Sequence, residues 1–103
     1  MGKIVRSAKA KRDLVDIYKY IAVYNPRAAR RMIEKLNEAA HLLSDAPEMG
    51  TGRFPSYPKV RGFPVDRYIL LYEPLEGERG IRLIRVFHGA RSWQELFGDD
   101  QDG

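Results

Sequence analysis

The chain has 103 residues, of which 44% are hydrophobic and none is cysteine, so it suits one domain with a modest core and excludes disulfides and thiolate metal sites. No run approaches the roughly 18 consecutive apolar residues of a membrane helix, and the basic stretch Met1 to Lys11 lacks the apolar centre of a signal peptide; the expectation is a soluble, cytoplasmic protein. The formal charge of +4 is unevenly spread, because four acids and no base lie from Ser92 onward, leaving residues 1–91 with 18 bases, 10 acids and a net +8.

Lys3 to Arg6 is β-prone through Ile4 and Val5. Ser7 can cap a following helix, and Leu14, Ile17, Tyr18 and Ile21 recur at the spacing of one buried helical face. This helix is expected to end near Tyr24. Asn25-Pro26 then starts a second helix, Asn as N-cap and Pro at the first helical position, where its missing N–H has no intrahelical partner anyway. Ala29, Met32, Ile33, Leu36, Ala40 and Leu43 form its apolar stripe, and Pro47 sets its end. The short link implies an antiparallel helical hairpin.

Glu48 to Lys59, with two glycines and two prolines, reads as an irregular loop. Strands are expected over Val60 to Phe63, stopping at Pro64, over Val65 to Tyr72, and over Ile81 to His88, with Glu73 to Gly80 as the last hairpin connection. Ser92 to Phe97 fits one helical turn, and residues 98–103 an acidic disordered tail after a single domain of residues 1–97. The order is β-α-α-β-β-β, an α+β fold in which the helical hairpin covers one face of a mainly antiparallel sheet. Strict alternation puts Ile84, Val86 and His88 on one face of the last strand and Leu83, Arg85 and Phe87 on the other. The expected pairing sets Tyr68 near Arg82 and Leu70 near Ile84.

The basic body suits an acidic partner, nucleic acid or protein. Arg53, Lys59, Arg61, Arg67, Arg85 and Arg91 lie in the loop, the sheet or its exit. Such arginines can grip phosphates or carboxylates through paired hydrogen bonds, or can stand as solvated edge charges that keep sheets from pairing with one another. His88 is the histidine near this set, as a proton-transfer group or a hydrogen-bonded strand end. Trp93 is a candidate partner contact or a residue that folds back on the domain. His41 is expected on the surface, Asp13 and Asp16 in salt bridges with basic neighbours on the first helix, and no metal or other cofactor is expected.

The run Asp13-Leu14-Val15-Asp16-Ile17-Tyr18-Lys19-Tyr20-Ile21-Ala22 followed by Asn25-Pro26-Arg27-Ala28-Ala29 resembles the helical hairpin of ParE/RelE-type toxins. Ala46-Pro47-Glu48-Met49-Gly50 with Arg53, the stretch Arg61 to Tyr72, and Arg85-Val86-Phe87-His88-Gly89-Ala90-Arg91 continue the likeness over residues 3–97. The resemblance implies the toxin of a type II, plasmid-stabilisation-type toxin–antitoxin system, held by a small antitoxin that wraps it, with a homodimer as a further possibility. One branch of the family cuts mRNA in the ribosome; the other inhibits DNA gyrase. The nuclease branch carries an arginine after the strand tyrosine and a tyrosine six residues past the exit arginine; here Ile69 follows Tyr68 and Phe97 follows Arg91. Those departures favour the gyrase-binding branch, with Arg53, Lys59, Arg61, Arg67, Arg85, His88, Arg91 and Trp93 as target-binding residues. On the nuclease alternative Arg61, His88 and Arg91 are the working groups. An inactive family member is the third reading.

Overall fold

The computed structural model describes residues 2–52 and 54–90. Arg53, Arg91, Trp93, the expected turn over Ser92 to Phe97 and the acidic tail lie outside them. The order is β1 (Lys3–Arg6), α1 (Ala8–Ala22), α2 (Pro26–Asp45), a 3-10 turn (Pro47–Met49), β2 (Arg61–Val65), β3 (Tyr68–Pro74) and β4 (Gly80–His88). The sheet runs β1-β4-β3-β2; β1 is parallel to β4 and the other pairs are antiparallel. The two helices pack on one face, so the expected α+β architecture is the observed one.

The helix starts follow from their caps. The Ser7 hydroxyl accepts the Ala10 N–H at 3.0 Å and donates to the Ile84 carbonyl at 2.7 Å, fastening α1 to β4. Asn25 accepts the N–H groups of Arg27 and Ala28, each at 3.1 Å, and Pro26 opens α2. Ala10 and Ile17 from α1 and Met32, Leu36, Ala39, Ala40 and Leu43 from α2 bury against Leu70, Tyr72, Ile81, Leu83 and Val86 of the sheet. Burial of such side chains stabilises by roughly 1.5–3 kcal/mol each before chain entropy is set against it. On the opposite face Val60, Leu71 and Phe87 form a second cluster with Phe54, Tyr57, Ile69 and Ile84 beside it.

Three sequence expectations are corrected. Val65 does not begin the middle strand: the chain reverses at Asp66-Arg67, and Val65 pairs with Tyr68 across that two-residue turn. Asp66 takes φ 53, a left-handed conformation that Asp tolerates through its short polar side chain. Alternation in β4 also breaks. Leu71 faces Arg85 but Tyr72 faces Leu83, so Ile84 is an inserted bulge residue. Leu83 and Val86, three apart, therefore both meet the helices, and Ile84 joins Phe87 on the other face. Tyr68 lies opposite His88 and Leu70 opposite Val86 instead of near Arg82 and Ile84; the bulge accounts for one residue of that difference and the position of the hairpin turn for the rest.

Tyr72 ties the loop to the sheet. Its hydroxyl is wholly buried, donates to the Pro47 carbonyl at 2.7 Å and accepts the Gly50 N–H at 2.8 Å. Gly50 has no side chain because a Cβ there would collide with that ring and hydroxyl. Burial pushes the phenol above its ordinary value of 10.0, against the opposing bond from Gly50. A raised folded-state value means the stabilisation is complete below about pH 10 and falls as pH rises through the folded-state value. Tyr72→Phe should cost about 2 kcal/mol at neutral pH by leaving two buried polar groups unpaired. It should also flatten the alkaline arm of a urea-midpoint-against-pH curve; an arm as steep as the parent's would contradict this.

Candidate functional site

The sheet sorts the basic candidates by what already holds them. Arg61, at the start of edge strand β2, donates to the Glu48 carbonyl at 3.2 Å and the Gly50 carbonyl at 2.7 Å. It clasps the same loop that Tyr72 holds. Lys59 pairs with Glu76 across exposed surface. Arg85 reaches α1: its Nε and Nη2 donate to the two Asp13 carboxylate oxygens at 2.8 and 3.0 Å. This paired hydrogen bonding, ahead of the opposing effect of burial, raises its pKa further, so it stays a cation. The expectation of Asp13 in a bridge is met, but by a strand residue 72 positions away instead of a neighbour on its own helix.

Arg67 and His88 converge. The β3–β4 register sets His88 opposite Tyr68, and the Gly89 N–H donates to the Arg67 carbonyl at 2.7 Å. The imidazole stands edge-on to the Tyr68 ring, centroids 5.6 Å apart. Its Nδ1 accepts the Ala90 N–H at 3.1 Å, which leaves Nε2 as the nitrogen available to donate from this exposed residue. Burial raises the Tyr68 pKa above 10.0, the Tyr20 phenol adds to this and the Arg67 charge opposes it. At neutral pH Tyr68 therefore keeps its proton and can donate. One end of the sheet thus presents a guanidinium, a phenol and an imidazole together, donors matched to an anionic oxygen.

Arg61 does not belong to that corner. It faces Tyr72, whereas Val65 faces Tyr68, and four residues of strand separate the two positions by roughly 13 Å. Sequence reasoning did not single out Tyr20, on α1, and Tyr24, in the link after it, whose exposed rings meet edge-on with centroids 6.2 Å apart. Their signal was present: two aromatics four apart, both off the buried stripe. Among the described residues no cluster of three or more His, Cys, Asp and Glu could hold a metal ion, and no helix is long and apolar enough to cross a membrane.

The family model of the ParE toxin of the type II toxin–antitoxin system parDE matches residues 4–93. The chain belongs to this toxin family. Toxin RelE2 of Caulobacter vibrioides is 32% identical to it over 91 residues, covering 88% of this chain and 99% of that protein. Among solved structures, a chain of the chromosomal ParDE system of P. aeruginosa superposes with a TM-score of 0.68 at 23% identity, over 85% of this toxin and 96% of that chain. The RelBE2 toxin–antitoxin complex of Mycobacterium tuberculosis gives a TM-score of 0.59 at 18% identity, over 84% and 96%. The isolated E. coli RelE toxin gives 0.57 at 12% identity and covers both chains completely. At these identities the structural matches speak for the fold of this ParE-family toxin, whose helical hairpin on a four-stranded sheet they share.

Proposed function

We propose that this ParE-family toxin acts by binding DNA gyrase and breaks no bond itself, and that a cognate antitoxin silences it in the cytoplasm. The observation that carries the reading is the state of Arg61. A nuclease needs cations free to meet the charge that develops on the scissile phosphate. Here Arg61 is spent on two loop carbonyls, and His88 sits roughly 13 Å away along the strands. The sequence adds Ile69 and Phe97 where the nuclease branch carries an arginine and a tyrosine. Arg67, Tyr68 and His88 then serve as a docking corner, joined by Arg53, Arg91 and Trp93 as further proposed contacts. The antitoxin partner is carried over from the complexes named for the ParDE and RelBE2 neighbours.

Purified toxin in excess over gyrase should abolish supercoiling of a relaxed plasmid, and Arg67→Glu/His88→Ala should restore most of it. Supercoiling at the uninhibited rate removes this reading. A second reading, ribosome-dependent mRNA cleavage, is supported by the relative named RelE2 and by the convergence of a guanidinium, a phenol and an imidazole. Codon-phased breaks in primer extension on mRNA after induction are its signature.

A further inference from the structure

The remaining basic charge is distributed in a way the sheet corner does not explain. From Lys19 to Arg31 the chain carries Lys19, Arg27, Arg30 and Arg31 and not one acid. This run is the tip of the helical hairpin, the end of α1, three linking residues and the first turns of α2. All four cations are exposed. Several cations elsewhere are held, Lys35 by Asp66, Lys59 by Glu76, Arg82 by Glu73, Arg85 by Asp13 and Arg61 by carbonyls. None of the four at the tip has an ion pair among the described residues.

The same tip exposes aromatic surface. Tyr20 is 68% and Tyr24 80% exposed, although tyrosine rings ordinarily seek cover. The hairpin also carries a hollow of about 360 Å³ lined by Ile21, Ala28, Met32, Arg31, Lys35 and Asp66. Its lining joins three apolar side chains to the Arg31 guanidinium and to the Lys35–Asp66 ion pair, so it offers apolar surface for a flat ring with Arg31 beside it for an anion.

We infer that the hairpin tip is a binding surface for single-stranded nucleic acid. Unstacked bases lie on Tyr20 and Tyr24, and the phosphates run along Lys19, Arg27, Arg30 and Arg31. Duplex DNA offers the phosphates but keeps its base faces stacked away, so it gains nothing from the phenols. An acidic polypeptide satisfies the cations but has no ring to fill the aromatic positions. The inference stands apart from the choice of target, because it concerns a surface adjoining the Arg67–Tyr68–His88 corner and makes no use of it.

Fluorescence anisotropy of the purified full chain with fluorescein-labelled (dT)15 at a series of salt concentrations tests it. Four cations on a single strand should give a log–log salt slope of roughly −2 to −3. Arg27→Gln/Arg30→Gln/Arg31→Gln should bring the slope above about −1. Tyr20→Ala/Tyr24→Ala should weaken binding roughly tenfold or more with the slope unchanged. Tyr20→Phe/Tyr24→Phe, which keeps the ring faces, should bind like the parent and so separates stacking from any loss of folding. Lys3→Gln/Arg79→Gln, basic positions away from the tip, should leave binding unchanged. Two results overturn the inference: the triple arginine-to-glutamine variant or the Tyr20→Ala/Tyr24→Ala variant binding (dT)15 as the parent does, or a poly-glutamate chain or matched duplex that binds as tightly as (dT)15 with no dependence on the two tyrosines.

Discussion

Gly80→Ala should cost roughly 3–5 kcal/mol, the sum of backbone strain and of a collision that the neighbouring strand must move to relieve. Gly80 sits at φ 146, where a side chain is strained, and opposite Lys3 in the parallel β1–β4 ladder. A Cβ there would run into the Lys3 carbonyl, stand 2.8 Å from the Lys3 nitrogen and 2.9 Å from a Leu75 methyl. Two of these three neighbours are backbone atoms, so no rotamer change clears them. β1 would have to leave β4, and with it the strand that starts the chain into α1. Against a typical domain stability of about 5–15 kcal/mol, a loss of this size lowers the urea midpoint by a large fraction. Gly77→Ala is the internal control. Gly77 is also in the left-handed region, at φ 76, but has nothing within 4 Å of its absent Cβ. It should cost only the conformational part, about 1 kcal/mol. Equal losses at the two glycines would show that strain alone is at work and that β1 is not pressed against Gly80.

That contact illustrates what the sequence carries and what it does not. The helices were legible because their signals are local: Ser7 and Asn25-Pro26 at the starts, apolar stripes at helical spacing, Pro47 at the end. The spans of β1 and β4 were legible from short β-branched runs between breakers. Pairing was not. A four-residue strand with two apolar side chains names no partner, and the parallel join of β1 to β4 is fixed only when α1 and α2 pack on the face of the sheet. The bulge at Ile84 was also hidden, since strict alternation is the default and one inserted residue reverses every later side chain. The candidate site inherits this limit. Arg67 and His88 were named from residue type, but their meeting depends on a register that the bulge shifts. Arg61 and Arg85 were named for the same reason and prove to be held by partners 11 to 72 positions away. Residue type alone does not separate a free guanidinium from an engaged one.

Asp13→Ala should destabilise the toxin by about 3 kcal/mol, more than a surface ion pair could account for. The reason lies in where β1 stops. It pairs with β4 as far as Leu83, and beyond that point the edge of β4 has no strand beside it. The start of α1 takes over. The Ser7 N–H donates to the Leu83 carbonyl at 3.0 Å, the Ser7 hydroxyl to Ile84, and the Asp13 carboxylate accepts the Val86 N–H at 2.9 Å. The same carboxylate takes two bonds from Arg85, with side-chain exposures of only 13% for Asp13 and 20% for Arg85. Removing it strands a largely buried guanidinium and a backbone N–H together. Arg85→Met alone should cost less, because an alkyl chain of similar length fills the space and the carboxylate keeps its bond to Val86. The double variant Asp13→Ala/Arg85→Met should be more stable than Asp13→Ala, since no unpaired charge remains, yet about 1 kcal/mol below Arg85→Met for the lost Val86 bond. A urea double-mutant cycle reads all three. Strictly additive losses would sink the argument, because they would mean that Arg85 is solvated without Asp13 and that the bulged half of β4, which carries His88 to the sheet corner, does not depend on α1 for its edge.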